Sequence, residues 1–302
     1  MKYVEVGGAH MSAIGLGTWQ FGSREWGYGS EYARREAVKI VHRALDLGVS
    51  LIDTAEIYAF GQSERIVGEA IKGRRDEVFL ATKLFPLGLP VQVAAKARAS
   101  ARRLGVDRID LYQQHWPSPM FPTTATMPRM RKLVESGLVS RVGVSNHSLA
   151  QWQAAEAAFG GPVLSNQVRF NLLDRDPERD LLPWAQATGR LVIAYSPLGQ
   201  GLLTGRYQDS SPRNFRRFNP AFRAASRARL KPLLAAMSEI ASRHQATIAQ
   251  LALAWLIRKP NVVVIPGASS VNQLEQNVAA ADVELSDEDD ARLGDLAAGV
   301  GR

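Results

Sequence analysis

Residues 78–115 read VFLATKLFPLGLPVQVAAKARASARRLGVDRIDLYQQH. An aliphatic run (78–83) ends on Lys83, a helical stretch follows (91–104), and a second aliphatic run (109–115) ends on His115. Strand, helix, strand is the unit of a parallel sheet, because parallel neighbours need a crossover and a helix usually supplies it. The unit recurs in both directions along the chain. Apolar runs fall at 50–54, 140–145, 163–169, 190–196 and 262–267, with a weaker first run at 13–17. Helical patterns lie between them at 34–47, 63–71, 124–136, 149–159, 178–188, 231–244 with 248–258, and 271–281. Ile40, Ala44, Leu45 and Leu47 show the three-and-four spacing of a helix face, and Gly48 and Gly137 stand where C-terminal caps belong. Eight β-then-α units predict a (β/α)8 barrel, and near-continuous apolar strands suit a sheet buried on both faces. The competing open, doubly wound sheet expects G-x-G-x-x-G in its first turn, and Gly15-Leu16-Gly17-Thr18-Trp19-Gln20 lacks the third glycine. Before Gly15 the pattern suggests a short hairpin that plugs the barrel bottom. A long insertion at 199–229, rich in Gly, Ser, Pro and Arg, follows the seventh strand and is expected to be a mobile loop.

Composition narrows the chemistry. The 302 residues contain no cysteine, which excludes disulfides, thiolate catalysis, zinc–thiolate and iron–sulfur sites. With 46% hydrophobic and 22% charged residues the chain reads as an ordinary folded protein. No low-complexity segment or linker divides it, so one domain over 1–302 is expected. The N-terminus lacks the apolar stretch of a signal peptide, and the longest apolar run, 251–257, is too short to span a bilayer. A cytoplasmic protein without membrane contact is the expectation. The net charge is +8, but the cations are scattered, so a small phosphorylated ligand is a better partner for them than nucleic acid. Histidines 10, 42, 115, 147 and 244 form no His-x-His pair, so no metal is expected. Gly143-Val144-Ser145-Asn146-His147 lacks the second glycine of a serine-hydrolase elbow.

Polar residues cluster at C-terminal strand ends, the face on which barrel enzymes build their sites. Asp53, Lys83, His115, Ser145 with Asn146, Gln167, and Tyr195 with Ser196 each close one run. Asp53, Tyr58, Lys83 and His115 together suit carbonyl chemistry. A tyrosine with a pKa of about 10 is a weak acid at neutral pH, and a nearby ammonium lowers that value. Lys83 supplies the ammonium and Asp53 holds it. Tyr58 then protonates an alkoxide, while His115 donates a hydrogen bond to the same oxygen. No side chain supplies a hydride, so a cofactor must.

These segments resemble the aldo-keto reductase family over nearly the whole chain. Gly15-Leu16-Gly17-Thr18-Trp19 is similar to the family's opening, and Asp53-Thr54-Ala55-Glu56-Ile57-Tyr58 to its Asp-Thr-Ala-x-x-Tyr segment. Ala81-Thr82-Lys83, Asp110 through His115, and Gly143 through Asn146 are similar to its lysine, histidine and Gly-x-Ser-Asn segments. The resemblance implies a (β/α)8 barrel and NADPH-dependent reduction of small-molecule aldehydes and ketones, with NADH also possible. It implies that Tyr58 is the acid, tuned by Lys83 and Asp53, and that His115 orients the carbonyl. It places Gly17, Thr18, Trp19 and Asp53 beside the cofactor. Ser145, Asn146 and Gln167 would hold the nicotinamide carboxamide, and Tyr195 would stack on its ring. Ser196, Pro197, Leu198, Gly199 and Gly201 would follow the pyrophosphate. Gly267, Ala268, Ser269, Gln273, Gln276 and Asn277 would grip the adenosine end.

Many relatives carry Arg or Lys in that last segment, where this chain has Ser269, Ser270 and Gln273, and often Glu at the place of Gln276. The cation for a 2′-phosphate is therefore expected from Arg206 and Arg216, with Arg213 and Arg217 beside them, in the long loop. That loop is expected to close over bound NADPH. Trp19, Phe21 or Trp26, Phe85 and Trp116, with Tyr58 and His115, are expected to line an open pocket for aromatic or medium-chain carbonyls. A long C-terminal lid after Leu296 is not expected. The alternative is an NADPH-binding regulatory subunit resembling potassium-channel β subunits. Those carry Asn in place of His115 and assemble as tetramers, so a free-standing reductase is expected, with an oligomeric state the sequence does not fix and a monomer favoured.

Overall fold

The short aliphatic runs form strands because β-branched and aliphatic side chains pack on a sheet that is covered on both faces. A computed structural model describes residues 1–22, 31–118, 120–207, 210, 212 and 218–300. Two strands, β1 (Tyr3–Val6) and β2 (Ala9–Ser12), form an antiparallel hairpin. Its turn residues Gly7 and Gly8 both have positive φ, +57° and +67°, as a tight two-residue hairpin turn requires.

Eight strands follow, each parallel to the next. They are β3 (Leu16–Gly17), β4 (Leu51–Asp53), β5 (Phe79–Leu84), β6 (Ile109–Gln114), β7 (Val139–Ser145), β8 (Ser165–Arg169), β9 (Leu191–Tyr195) and β10 (Val262–Val264). The sheet closes on itself. The Gly15 amide donates to Val264 O at 2.7 Å, the Val264 amide donates to Ala13 O at 2.9 Å, and Gly17 bridges Gly267 in parallel. A Cβ at position 17 would lie 2.6 Å from Ile265 O, so the closing seam itself requires glycine there.

Helices α1 (Glu31–Asp46), α2 (Gln62–Ala70), α3 (Val93–Leu104), α4 (Thr123–Glu135), α5 (Leu149–Phe159), α6 (Leu181–Thr188), α7 (Ala224–Arg243), α8 (Ile248–Ile257) and α9 (Val271–Val278) surround the barrel. A last helix, α10 (Asp287–Val300), falls where the apolar pattern gave no helix. Ser286 caps it, accepting from the Asp289 amide at 3.0 Å, and its first turn is acidic, which suits the positive end of the helix. The long insertion is shorter than expected: α7 begins at Ala224, where an Ala/Arg-rich stretch of good helix formers runs back from Pro232. None of the described helices is long and apolar enough to cross a membrane.

The hairpin seals the N-terminal end. Val6, Ala9 and Met11 join the inward-facing Leu51, Ala81, Leu111, Ile193 and Val263 in one buried apolar cluster. Ser12 fastens the hairpin to β4: its amide donates to Ser50 Oγ at 2.9 Å and its Oγ accepts from the Leu51 amide at 3.2 Å. Among the described residues this end of the barrel is filled.

Candidate active site

Each strand alternates its side chains between the helix layer and the barrel interior. On β4, Ile52 packs outward among α1 and α2 side chains, while Leu51 and Asp53 point inward. Lys83 stands in the same relation to Ala81 on β5. Its ammonium is wholly buried and donates to Asp53 Oδ2 at 2.5 Å, to Thr54 O at 2.9 Å and to the Tyr58 hydroxyl at 3.2 Å. All three of its donors are thus used. The other carboxylate oxygen, Asp53 Oδ1, accepts from Gln167 Nε2 at 2.8 Å across the barrel.

Tyr58 comes from the turn after β4. Ala59, Phe60 and Gly61 follow it with φ of +46°, +54° and +79°. Two non-glycine residues in that region cost on the order of 1–3 kcal/mol each, and the surrounding structure must hold them there. Ser63, just beyond, does so: its Oγ donates to Thr18 O at 2.9 Å and lies 2.8 and 3.0 Å from the hydroxyls of Thr18 and Thr54. Both ends of the tyrosine turn are tied to that hydroxyl cluster. His115 follows β6; its ring stands edge-on to Tyr58, 5.7 Å between centroids at 76°, and lies flat on Trp116 at 3.8 Å. Its Nδ1 is enclosed without a partner among the described residues.

The electrostatics correct one expectation. Burial raises the Tyr58 pKa above its ordinary 10, and the opposing pull of Lys83 does not overcome it. Burial likewise pushes Lys83 down, but the charges of Asp53 and Tyr58 and the hydrogen bonds to both more than offset this, and its pKa is raised. His115 is lowered to about 2, first by burial and then by the Lys83 charge. At neutral pH the site therefore holds a protonated phenol, an ammonium and a neutral imidazole.

A second group forms a ledge on the neighbouring strands. Ser145 Oγ donates to Gln167 O at 2.7 Å. Asn146, with φ of +60°, donates from Nδ2 to His115 O at 3.0 Å and to Ser145 Oγ at 3.1 Å, and its Oδ1 accepts from the Tyr195 hydroxyl at 2.9 Å. These groups and the catalytic candidates face a cavity of about 460 Å³.

The structure brings most of the expected residues to this cavity: Gly17, Thr18, Trp19, Asp53, Tyr58, His115, Trp116, Ser145, Asn146, Gln167, Tyr195, Ser196, Pro197, Leu198, Gly201, Arg206, Gly267, Ala268, Ser269 and Gln273. Lys83 stands behind Tyr58 and Asp53 rather than in the wall. Five further expected residues do not line this cavity. Gly199 is buried beneath the surface of its turn. Asn277 is buried and donates to Gly267 O at 3.3 Å, holding the loop after β10 from behind. Gln276 accepts from Gln250 Nε2 on α8 at 3.2 Å. Phe85 supports the wall rather than forming it, standing edge-on to Trp116 at 5.8 Å. Phe21 is wholly buried. Trp26, Arg213, Arg216 and Arg217 lie outside the described residues.

Several wall residues escaped sequence reasoning, among them Gln20, Arg169, Thr204 and Tyr207. Gln20 Nε2 donates to Ala268 O at 2.7 Å, a link across 248 positions that no local pattern signals. Arg169 was readable, since it lies two residues past Gln167 at the end of the same run.

Comparison with known proteins agrees with this geometry. The family model described as "Aldo/keto reductase family" matches residues 13–298. The chain is 54% identical, over 98% of its length and 93% of the relative's, to an uncharacterized oxidoreductase of Mycobacterium tuberculosis. It is 37% identical to a methylglyoxal reductase of Escherichia coli, over 95% of this chain and 91% of that one. A crystal structure of an aldo/keto reductase from Klebsiella pneumoniae in complex with NADP and acetate superposes with a TM-score of 0.80 at 36% identity, covering 98% of this chain and 95% of the other. The chain belongs to the aldo/keto reductase family and is an oxidoreductase of that family.

Proposed function

We propose that this protein reduces small aldehydes and ketones to alcohols with NADPH, Tyr58 acting as the general acid. The observation that carries the reading is the Tyr58 hydroxyl at the cavity wall, 3.2 Å from the buried Lys83 ammonium and edge-on to a neutral His115.

The cavity suits the cofactor. Gln167 Nε2 is engaged by Asp53, while its Oε1 makes no hydrogen bond to any described residue and can accept from a carboxamide N–H. Ser145 and Asn146 bond one another beside it. Tyr195 offers a ring face whose hydroxyl is fixed by Asn146. The turn Ser196–Gly201 has positive φ at Ser196, Gly199, Gln200 and Gly201, a backbone that small residues can bring close to phosphates. Ser269 and Gln273 are exposed at the far end, and Arg206 is the phosphate-facing cation. Bound NADPH supplies the hydride.

The chain's own residues do the rest. Tyr58 hydrogen-bonds the carbonyl oxygen and gives it a proton as negative charge develops there. Lys83 keeps its charge and stabilises the phenolate that Tyr58 becomes on giving up that proton, and Asp53 holds Lys83 in place. His115, neutral with Nδ1 enclosed, presents Nε2 to the same oxygen. Trp19 and Trp116, 49% and 41% exposed, flank the mouth and favour aromatic or alkyl carbonyls. The named activity of the Escherichia coli relative places methylglyoxal in the same test panel.

The test is cofactor oxidation with benzaldehyde, butanal and methylglyoxal, NADPH and NADH side by side. Turnover with at least one carbonyl, faster with NADPH and with that preference narrowed by Arg206→Ala, supports the reading. NADPH binding without turnover of any carbonyl would overturn it.

A further inference from the structure

On β8, Ser165, Gln167 and Arg169 share the inward face. Ser165 Oγ reaches Gln113 Oε1 at 3.2 Å and Gln167 reaches Asp53 at 2.8 Å, so Arg169 is next in line at the rim. Its side chain lines the cavity that holds Tyr58 and His115, and it pairs in register with Tyr195 on β9. It is exposed, and its guanidinium makes no hydrogen bond, ion pair or ring contact with any described residue. Among the described wall residues the only carboxylate is Asp53, and both of its oxygens are taken, by Lys83 and Gln167. Nothing in the wall neutralises Arg169. The other arginine of the wall, Arg206, lies on the segment assigned above to the cofactor phosphates. Arg169 instead stands two residues beyond Gln167 on β8, in the wall of the same cavity that Tyr58 and His115 line. A planar fork of unused donors in the wall of that cavity suits a carboxylate.

We propose that Arg169 is a specificity residue that binds a carboxylate on the substrate, and that the preferred substrates are carbonyl acids rather than neutral carbonyls. The inference rests on the reductase reading and names its substrate class. The field of an unpaired cation at the mouth adds attraction for anionic substrates before contact.

The experiment compares 2-, 3- and 4-carboxybenzaldehyde with their methyl esters, for wild type, Arg169→Gln and Arg169→Lys. Wild type should favour at least one acid over its ester by about ten- to hundredfold in kcat/KM, mostly through KM. Arg169→Gln should bring the ratio close to one, and Arg169→Lys should restore part of it. High salt should erode the preference. A second readout needs no turnover: with NADP+ present, calorimetry should show benzoate binding wild type about tenfold or more tighter than benzamide, and Arg169→Gln should abolish the difference. Equal use of acid and ester by wild type overturns the inference and leaves the reductase reading intact. So does an Arg169→Gln variant that loses NADPH affinity with the acid-to-ester ratio unchanged, which would assign the residue to the cofactor. If no aldehyde is turned over, the reductase reading fails by itself and the benzoate titration decides the role of Arg169.

Discussion

Leu51 and Asp53 lie two residues apart on the inner face of β4, as do Ala81 and Lys83 on β5 and Ile193 and Tyr195 on β9. The lower members, with Val6, Ala9 and Met11 of the hairpin, form an apolar cluster whose side chains are held by burial. The upper members join a polar network: Lys83 with Asp53, Asp53 with Gln167, Tyr195 with Asn146. One turn of the strand repeat thus separates two kinds of stabilisation. The lower layer is non-directional and tolerates any side chain of suitable volume. The upper layer is directional, and removing one member leaves another buried and unpaired.

The two layers should fail differently. Lys83→Met strands Asp53 in a dry site and should cost about 3–5 kcal/mol in urea unfolding. Adding Asp53→Asn should recover part of that loss while turnover stays abolished; simple additivity would contradict a coupled pair. Met11→Ala, in the lower layer, should cost roughly 2–5 kcal/mol with kcat and NADPH affinity close to wild type. A large change in kcat there would show that the layers are not separable.

Acid should expose the histidines of the upper layer. His115 and His147 have pKa values lowered to about 2 and about 4, burial being the first cause in each. In the unfolded chain both titrate near 6.5 and so bind more protons than the native state below that pH. Stability therefore rises with pH in this window. It is fully present above about pH 6.5 and is lost as the pH falls, by roughly 2 kcal/mol per histidine at pH 5. A His147→Gln variant should show a shallower acid limb in chemical denaturation across pH 4–7. An unchanged limb would mean that His147 is not held neutral by the fold. The smallest expected effect is on activity: with His115 neutral and the Tyr58 pKa above 10, reduction should vary by no more than about threefold between pH 5 and 8. A break near the ordinary histidine value would place a titrating imidazole in the mechanism.

The difference between the layers also explains what the sequence disclosed. Asp53, Lys83, His115, Ser145 and Gln167 could be read because each ends an apolar run, and a parallel barrel puts such ends on one rim. The hairpin was visible from the residues before Gly15. Packing across distant segments was hidden. The direction of the Tyr58 shift depends on how deeply its turn is enclosed, which no motif encodes. Asn277 and Gln276 carry polar side chains suited to a ligand, and their bonds to Gly267 O and to Gln250 come from distant segments that no local pattern signals. Helix α10 was missed because its signal is a cap and an acidic first turn rather than an apolar stripe. Arg169 ends the same run, and the alternation that places Gln167 inward places it inward too.

The account rests most on the proton carried by Tyr58. Tyr58→Phe keeps the ring and its contact with His115 and removes only the hydroxyl facing Lys83. With NADPH saturating, the rate of carbonyl reduction should fall by about 10²–10⁴ while the Kd for NADPH stays within about threefold and the folded state is retained. A variant that turns over at the wild-type rate, or that loses activity only through weaker cofactor binding, would contradict the assignment of Tyr58 as the acid.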